Sequence, residues 1–511
     1  MTKGLQWITL IYFMLLTSLF DGANVGMTKE IDNLREGVIC SIETEGEETP
    51  EEAITAGYTG AFWVEKDETV YLLETYDNLV LECRKDKIRE IPLSQTVLPV
   101  NLVTDESRIY VYDEVLSELQ IYSKQGELLV RSEISLQEDY VKGLKKTGEE
   151  IALLTFENRR LVVDSETGEF TEFTEEDVSV NIEGYDFTEY VSTDEDGTVY
   201  AVGTSLVKDC SIIAGELTLQ AVSKEGNILG CYVMPVLEYS YLPLRYVHVM
   251  ENGNIYLLVP TAEAVEVRKV ALRESMESAM EEISAKAKEL EENYAEDTKQ
   301  RKWEGKAPTE RVRITREKIL ERALAMAEYE WVLKPKNTRV DVSAPSVTLP
   351  KEIQKIIREK EGEASWSVTM TGIPYCWGGF FAIDGGTDGL RFQRMLDMGY
   401  IAGNVDSNGY YKFLTTGLDC SGFVTAALGL NTKLGTKGLA DLGSARMDIN
   451  SLEQMDFLVY PGEHVIFYGE WMEDASVLVL EATIKDGKVI VHPKNMNELV
   501  IDGKYQMRSP W

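Results

Sequence analysis

Residues in the last third of the chain combine types that could perform nucleophilic chemistry. Cys420 stands in GLDCSGFV, after an acidic residue and at the start of a small-residue run, Ser421 to Gly429, that reads as a helix. A thiol at a helix N-terminus feels the positive end of the helix dipole, which favours the attacking thiolate. It also needs a base within hydrogen-bond reach and a third group to orient that base. The chain has three histidines, His248, His464 and His492. His464 lies in a well-patterned strand downstream, in PGEHVIFYGEW, and is the expected base. His492, next to Pro493 near a strand end, is the reserve. The following strand, SVLVLEAT, puts Val477, Val479 and Glu481 on one face. With a hairpin turn centred on Met472–Glu473, Glu481 stands opposite His464 and orients its ring. The competing reading of Cys420 is a small buried cysteine at the start of a core helix.

These groups require a particular support. Gly417 and Gly422 permit a tight loop-to-helix turn around Cys420. Upstream, in IPYCWGGF, two glycines follow the aromatic Trp377, a pattern that permits close backbone approach at a groove wall. His464 and Glu481 belong on neighbouring antiparallel strands.

The segments IPYCWGG, GLDCSGFV and DFLVYPGEHVIFYG, in that order, resemble the three motifs of the NlpC-type family of cell-wall cysteine peptidases, a branch of the papain-like fold. The resemblance covers roughly residues 311–511. It implies Cys420 as nucleophile, His464 as general base and Glu481 in the third catalytic position. Tyr375 would line the cleft with Trp377, and Asp419 and Ser421 would help hold a free amine of the substrate peptide. Members hydrolyse the γ-D-glutamyl bond to the diamino acid of peptidoglycan stem peptides. Two departures stand out. The gap from Gly379 to Asp419 is long and reads as an insertion walling the groove. The usual Gly-Asp before the histidine is Met455-Asp456. An amidase or acyltransferase on the same fold, or a protein-directed peptidase, would keep the triad and change the partner.

The preceding region is built differently. Strands beginning at Val70, Ile109, Ile151, Val199 and Ile255 start 39, 42, 48 and 56 residues apart. Each is followed by a second strand, at Leu79, Leu119, Leu161, Leu219 and Val265, and by Gly/Asp/Asn turns. A loose β-rich repeat of this length reads as propeller blades, whose apolar faces only neighbouring units can cover. Five blades are clear, and a sixth could be assembled from residues 28–62 and a later strand; a pair of β-sandwiches is the alternative. His248, in a Tyr-Val-His-Val strand, reads as a core residue. Met276, Met280, Ile283, Ala287, Leu290 and Tyr294 then form the seam of an amphipathic helix. A second helix starts near Thr315 and buries Ile319, Leu320, Leu324, Ala327 and Trp331.

The 511 residues exceed one core, and the net charge of −36 excludes binding nucleic acid or an anionic membrane by charge. The first 25 residues, with Lys3 before an apolar run from Ile8 to Phe20, have the layout of a secretory signal, cleaved or retained as an anchor. Six cysteines without a C-x-x-C pair exclude a disulfide scaffold and zinc-ribbon sites. Cys210 and Cys231 read as unpaired core residues, with a cross-strand pair as the alternative. No metal or cofactor is implied, and acidic runs such as Glu175-Glu176-Asp177 read as solvated faces. The expected protein is therefore multidomain and exported to the cell wall or outside the cell. Residues 28–270 form an all-β propeller-like domain, 271–310 an amphipathic helical linker, and 311–511 an α+β papain-like domain. The expected partners are peptidoglycan stem peptides for the groove and an undefined ligand or wall component for the propeller. The rival reading is a binding protein led by the propeller, whose C-terminal domain holds a ligand without catalysis.

Overall fold

The computed structural model describes residues 37–511 apart from short internal stretches, the longest being 45–53, 175–181, 301–310 and 340–346. The N-terminal signal-like segment and the Glu175-Glu176-Asp177 run lie outside the described residues. Among those described, no helix is long and apolar enough to cross a membrane.

Alternating strands in the first half assemble into five four-stranded antiparallel sheets, a propeller-like array. The first strands recognised in the sequence become the second strands of the blades, Val70–Glu74, Arg108–Asp113, Glu150–Thr155, Val199–Leu206 and Ile255–Pro260. They are buried because each blade is covered on both faces. Among the described residues no sixth blade forms. Strand Val38–Glu43 instead pairs with Ala264–Val270 and completes the fifth blade, while Thr59–Val64 opens the first. Closing the array with the earliest strand ties its two ends together by backbone hydrogen bonds, which no loop could match in rigidity. Apolar clusters fill the space between blades one, two and three and between blades five and one. In the latter, the Cys40 thiol hydrogen-bonds that of Cys83 across the seam, and this contact together with burial raises its pKa. His248 is buried beside Trp63, ring centroids 4.1 Å apart, and burial pushes its pKa down to about 3.

The helix Met280–Gln300 buries Ile283 and Ala287 against blade four, so this part of the seam packs on a neighbouring unit, while Met276 and the Tyr294 side chain lie outside the described residues. The carboxylate of Glu291 accepts hydrogen bonds from Cys210 and Ser211; Cys210 and Cys231 are both free thiols. The next helix, Arg316–Ala327, is capped by Thr315 as its sequence suggests. Its buried face is Ile319, Ala323 and Met326. Leu320, Leu324 and Ala327 are only partly buried, and Trp331 belongs to the following strand, Glu330–Leu333.

The C-terminal region is built on a six-stranded antiparallel sheet. Its strands lie in the order Ser444–Ala445, Gln506–Ser509, Phe457–Tyr460, His464–Trp471, Ser476–Thr483, Lys488–Asn495. Strand alternation gives this sheet two apolar faces. Val465, Phe467, Leu480 and Ala482 pack with Phe423 and Val424 of the helix Cys420–Ala427. Ile466, Tyr468, Val477 and Val479 pack with Leu217, Leu219 and Val236 of the propeller. Polar contacts reinforce that join. Asn497 Nδ2 donates to Tyr246 Oη at 3.0 Å, and Asn495 Nδ2 to Glu189 Oε2 at 3.1 Å. The propeller and the C-terminal sheet thus share an apolar core at their junction, beside a separate cluster that fills residues 312–489.

That shared core makes unfolding a joint event. Ile466→Ala should cost about 2–5 kcal/mol, as for other large-to-small core changes. Denaturant unfolding followed by far-ultraviolet circular dichroism and by tryptophan fluorescence should give one coincident transition, displaced to lower denaturant in the variant. Two separated transitions, with only one displaced, would contradict a common core.

Candidate active site

The helix that carries Cys420 begins where the sequence places it. Asp419 is its N-cap, accepting from Gly422 N at 2.6 Å, and Cys420 is the first helical residue. Gly417, at φ 141°, holds a backbone conformation closed to most side chains. Gly422 packs against the carbonyl of Gly379, leaving no room for a Cβ. The WGG and DCSG segments are therefore two sides of one close backbone contact. Met455, where the family pattern has glycine, adopts φ 66° with its side chain fully buried, a conformation that costs about 1–2 kcal/mol for an L-residue. Asp456 after it anchors the strand start, receiving Arg316 Nη2 at 2.8 Å and Arg446 Nε at 2.8 Å.

His464 opens the central strand. Its Nε2 lies 2.5 Å from Glu481 Oε2. With that nitrogen committed, Nδ1 is the nitrogen left for the Cys420 thiol, whose nearness is one of the causes that raise the His464 pKa; the thiol itself hydrogen-bonds Glu463 O at 4.0 Å. The pairing differs from the hairpin geometry expected. Phe467 faces Leu480 and Tyr468 faces Val479, with a bulge before Glu470, so Glu481 is a diagonal neighbour of His464 rather than its direct opposite. The assumed turn at Met472–Glu473 runs into residues 473–475, outside the described residues. The contact survives the shift because a two-residue displacement keeps both side chains on one face.

Glu481 is 2% exposed and does more than orient one ring. His492 Nε2 lies 2.7 Å from its other oxygen, and Lys494 Nζ lies 3.4 Å from the same atom. The reserve base is thus a second partner of the same carboxylate. Burial alone would raise the Glu481 pKa, but Lys494 and the two imidazoles outweigh it and hold the group well below the usual carboxylate range. Burial alone would lower the His464 pKa. Tyr505, Cys420 and Glu481 outweigh it and hold the imidazole well above its usual value.

A cleft of about 320 Å³ opens at His464 and Glu481, and Tyr375, Trp377, Ser407, Glu463, Ile484 and Lys494 help line it. Ser407 comes from the long insertion, so that segment does contribute to the wall. Asp419, Cys420 and Ser421 are buried beside this lining, Cys420 being 6% exposed with Sγ 4.0 Å from Glu463 O. Asp419 has its oxygens taken by Gly422 N, Ser421 Oγ and Lys433 Nζ, so an incoming amine would have to displace Lys433. Burial and the neighbouring Cys420 and Asp419 raise the Tyr375 pKa and keep its hydroxyl protonated. Lys494, Tyr505 and Lys433 were not singled out in the sequence. Lys494 had a signal, two residues beyond His492 on the same strand face; Tyr505 and Lys433 are brought in by tertiary packing alone.

No protein-family model matches the sequence, and no curated protein does. Solved structures resemble less than half of the chain. Virginiamycin B lyase from Staphylococcus aureus is 11% identical over 46% of this chain and 75% of its own, with a TM-score of 0.24. Glutaminyl cyclase from Myxococcus xanthus is 11% identical over 46% and 97%, with a TM-score of 0.28. BamB from Moraxella catarrhalis is 10% identical over 43% and 86%, with a TM-score of 0.25. At these scores the likenesses carry no argument, and the propeller-like reading rests on the strand pairing within the five sheets.

The two shifts set a pH window. A raised His464 pKa contributes stability in full below its ordinary 6.5, and this is lost as pH rises through the folded value. A depressed Glu481 pKa contributes in full above its ordinary 4.5, and this is lost as pH falls through the folded value. Both contributions are complete between 4.5 and 6.5. Glu481→Gln should flatten the fall in unfolding free energy on either side of that window. It should also slow iodoacetamide alkylation of Cys420 near pH 6 by about tenfold or more, one pKa unit of His464 being a factor of ten. An unchanged stability profile and alkylation rate would show that the carboxylate does not tune the imidazole.

Proposed function

We propose that the chain is an exported cysteine hydrolase that cleaves amide bonds in peptidoglycan stem peptides, with the γ-D-glutamyl bond to the diamino acid as the scissile bond. The observation that supports this reading most is the placement of Cys420 at a helix N-terminus, against an imidazole whose other nitrogen is held by a buried carboxylate. The three motifs and their order, on a helix packed against an antiparallel sheet, favour the papain-like reading of residues 311–511.

The chemistry follows from the geometry. His464 Nδ1 takes the Cys420 proton, and Glu481 stabilises the resulting imidazolium. The thiolate attacks the amide carbonyl and forms the C–S bond. Negative charge develops on the carbonyl oxygen, and the Tyr375 hydroxyl and the Cys420 backbone N–H are the donors suited to receive it. His464 returns its proton to the departing amine as the C–N bond breaks, leaving a thioester. Water, deprotonated by the same ring, then releases the acid. Trp377, Ile484 and Lys494 line the space open to the peptide on either side of the bond. The alternative, ligand holding without catalysis, draws on the burial of Cys420 and predicts slow alkylation near neutral pH, where a catalytic thiol would react rapidly.

Digestion of purified sacculi, with released muropeptides identified by mass, tests the proposal. The wild-type chain should release fragments with a newly exposed diamino-acid amine. Cys420→Ala and His464→Ala should each lower the rate by several orders of magnitude, and the double variant should be little worse than either, because the two act as a unit. Near wild-type release by Cys420→Ala, or inactivation by His492→Ala with His464→Ala still active, would overturn the assignment.

A further inference from the structure

The wall of the cleft opposite the nucleophile helix hangs on the propeller. The hairpin of strands Ser476–Thr483 and Lys488–Asn495 carries Glu481, His492 and Lys494, and its turn carries Ile484, Lys485 and Asp486. Thr483, Ile484 and Lys494 line the cleft. Lys485 points the other way, its Nζ 2.7 Å from Glu114 Oε2 of blade two. Glu114 sits on a stiff turn. Its N–H donates to Leu98 O at 3.1 Å, and the adjacent Asp113 carboxylate accepts from Leu98 N at 3.0 Å and Leu116 N at 2.9 Å. A second tether comes from Tyr140, whose hydroxyl donates to Val491 O at 2.8 Å, next to His492.

We propose that Glu114 of the propeller is a positioning residue for the hydrolytic site, holding through Lys485 the hairpin that places Glu481 and the Thr483–Ile484 wall. This rests on reading the C-terminal region as a cysteine hydrolase. Glu114 is well placed for the role. It acts across a contact only about a third exposed on either side, where removing one partner leaves the other charge poorly compensated. Its field also reaches His492 and Lys494, the groups that share Glu481 with His464. A shift of even 1 Å in catalytic geometry can cost about a hundredfold in rate. The propeller then affects chemistry on any substrate, soluble or insoluble, whereas a module that only tethers the enzyme to the wall affects insoluble substrate alone.

The test uses the full chain with Glu114→Gln, Lys485→Met, and the charge exchange Glu114→Lys with Lys485→Glu. A soluble stem peptide containing the γ-glutamyl–diamino acid bond is the substrate. Iodoacetamide alkylation of Cys420 provides a readout that needs no turnover. Each single change should lower kcat by about tenfold and slow alkylation in parallel, with Tm close to wild type. The exchange should restore most of both. Wild-type kcat and alkylation in Glu114→Gln, or an exchange variant as slow as the single changes, would overturn the proposal. Should Glu114→Gln unfold, Glu114→Asp replaces it, and wild-type values there at an intact Tm would be equally decisive against. If the wild type cleaves nothing while alkylation still falls with Glu114→Gln and recovers on exchange, the coupling stands and the hydrolase reading falls.

Discussion

A carboxylate at 2% exposure must be compensated, and the cost of burying Glu481 organises the site around it. An isolated buried carboxylate would lose several kcal/mol of hydration and protonate instead. Here His464 and His492 take opposite oxygens and Lys494 stands beside them. The histidine that faces the thiol is thereby locked in orientation and biased toward its charged form. His492 and Lys494 come from the other strand of Glu481's hairpin and His464 from the strand before it, so the carboxylate also ties that hairpin to the preceding strand. The poise of the His464 imidazole and local stability have the same physical source.

The same hairpin is where the two halves of the chain meet. Its apolar side chains fill a cluster shared with blade four, and its turn is pinned to blade two by Glu114. The helix Met280–Gln300, which reads in sequence as a linker, packs into the same cluster through Ile283 and Ala287. A propeller brings rigidity through covered faces and a closed strand order. That rigidity is applied to the same face of the sheet that carries His464, Glu481, His492 and Lys494.

How far the sequence revealed this depends on the range of the interaction. Blade strands were legible because period-two alternation is local, and the pairs at Val70 and Leu79 through Ile255 and Val265 all lie in adjacent strands of one sheet. Ring closure was not, because Val38–Glu43 finds its partner more than 200 residues later, at Ala264–Val270. Cys420 and its cap were legible from Asp-Cys-Ser-Gly, since capping and helix polarity act within a few residues. Glu481 was found through an assumed turn centre; Trp471 already faces Val477 beside the real turn, and the bulge near Gly469 takes back one residue, so the face was right and the direct opposition was not. Lys433 beside Asp419, Tyr505 beside His464 and Glu114 beside Lys485 are polar groups brought together by packing, and no spacing rule reaches them.

The central claim is that Cys420, primed by His464 and Glu481, attacks a peptidoglycan amide and carries the acyl group as a thioester. Rapid acid quench of the enzyme with stem-peptide substrate, followed by peptide mapping in a mass spectrometer, observes that species directly. The expected result is an acyl adduct on the peptide containing Cys420, released by hydroxylamine and absent from Cys420→Ala. Product formation without an adduct on Cys420, or an adduct that persists in Cys420→Ala, would contradict it.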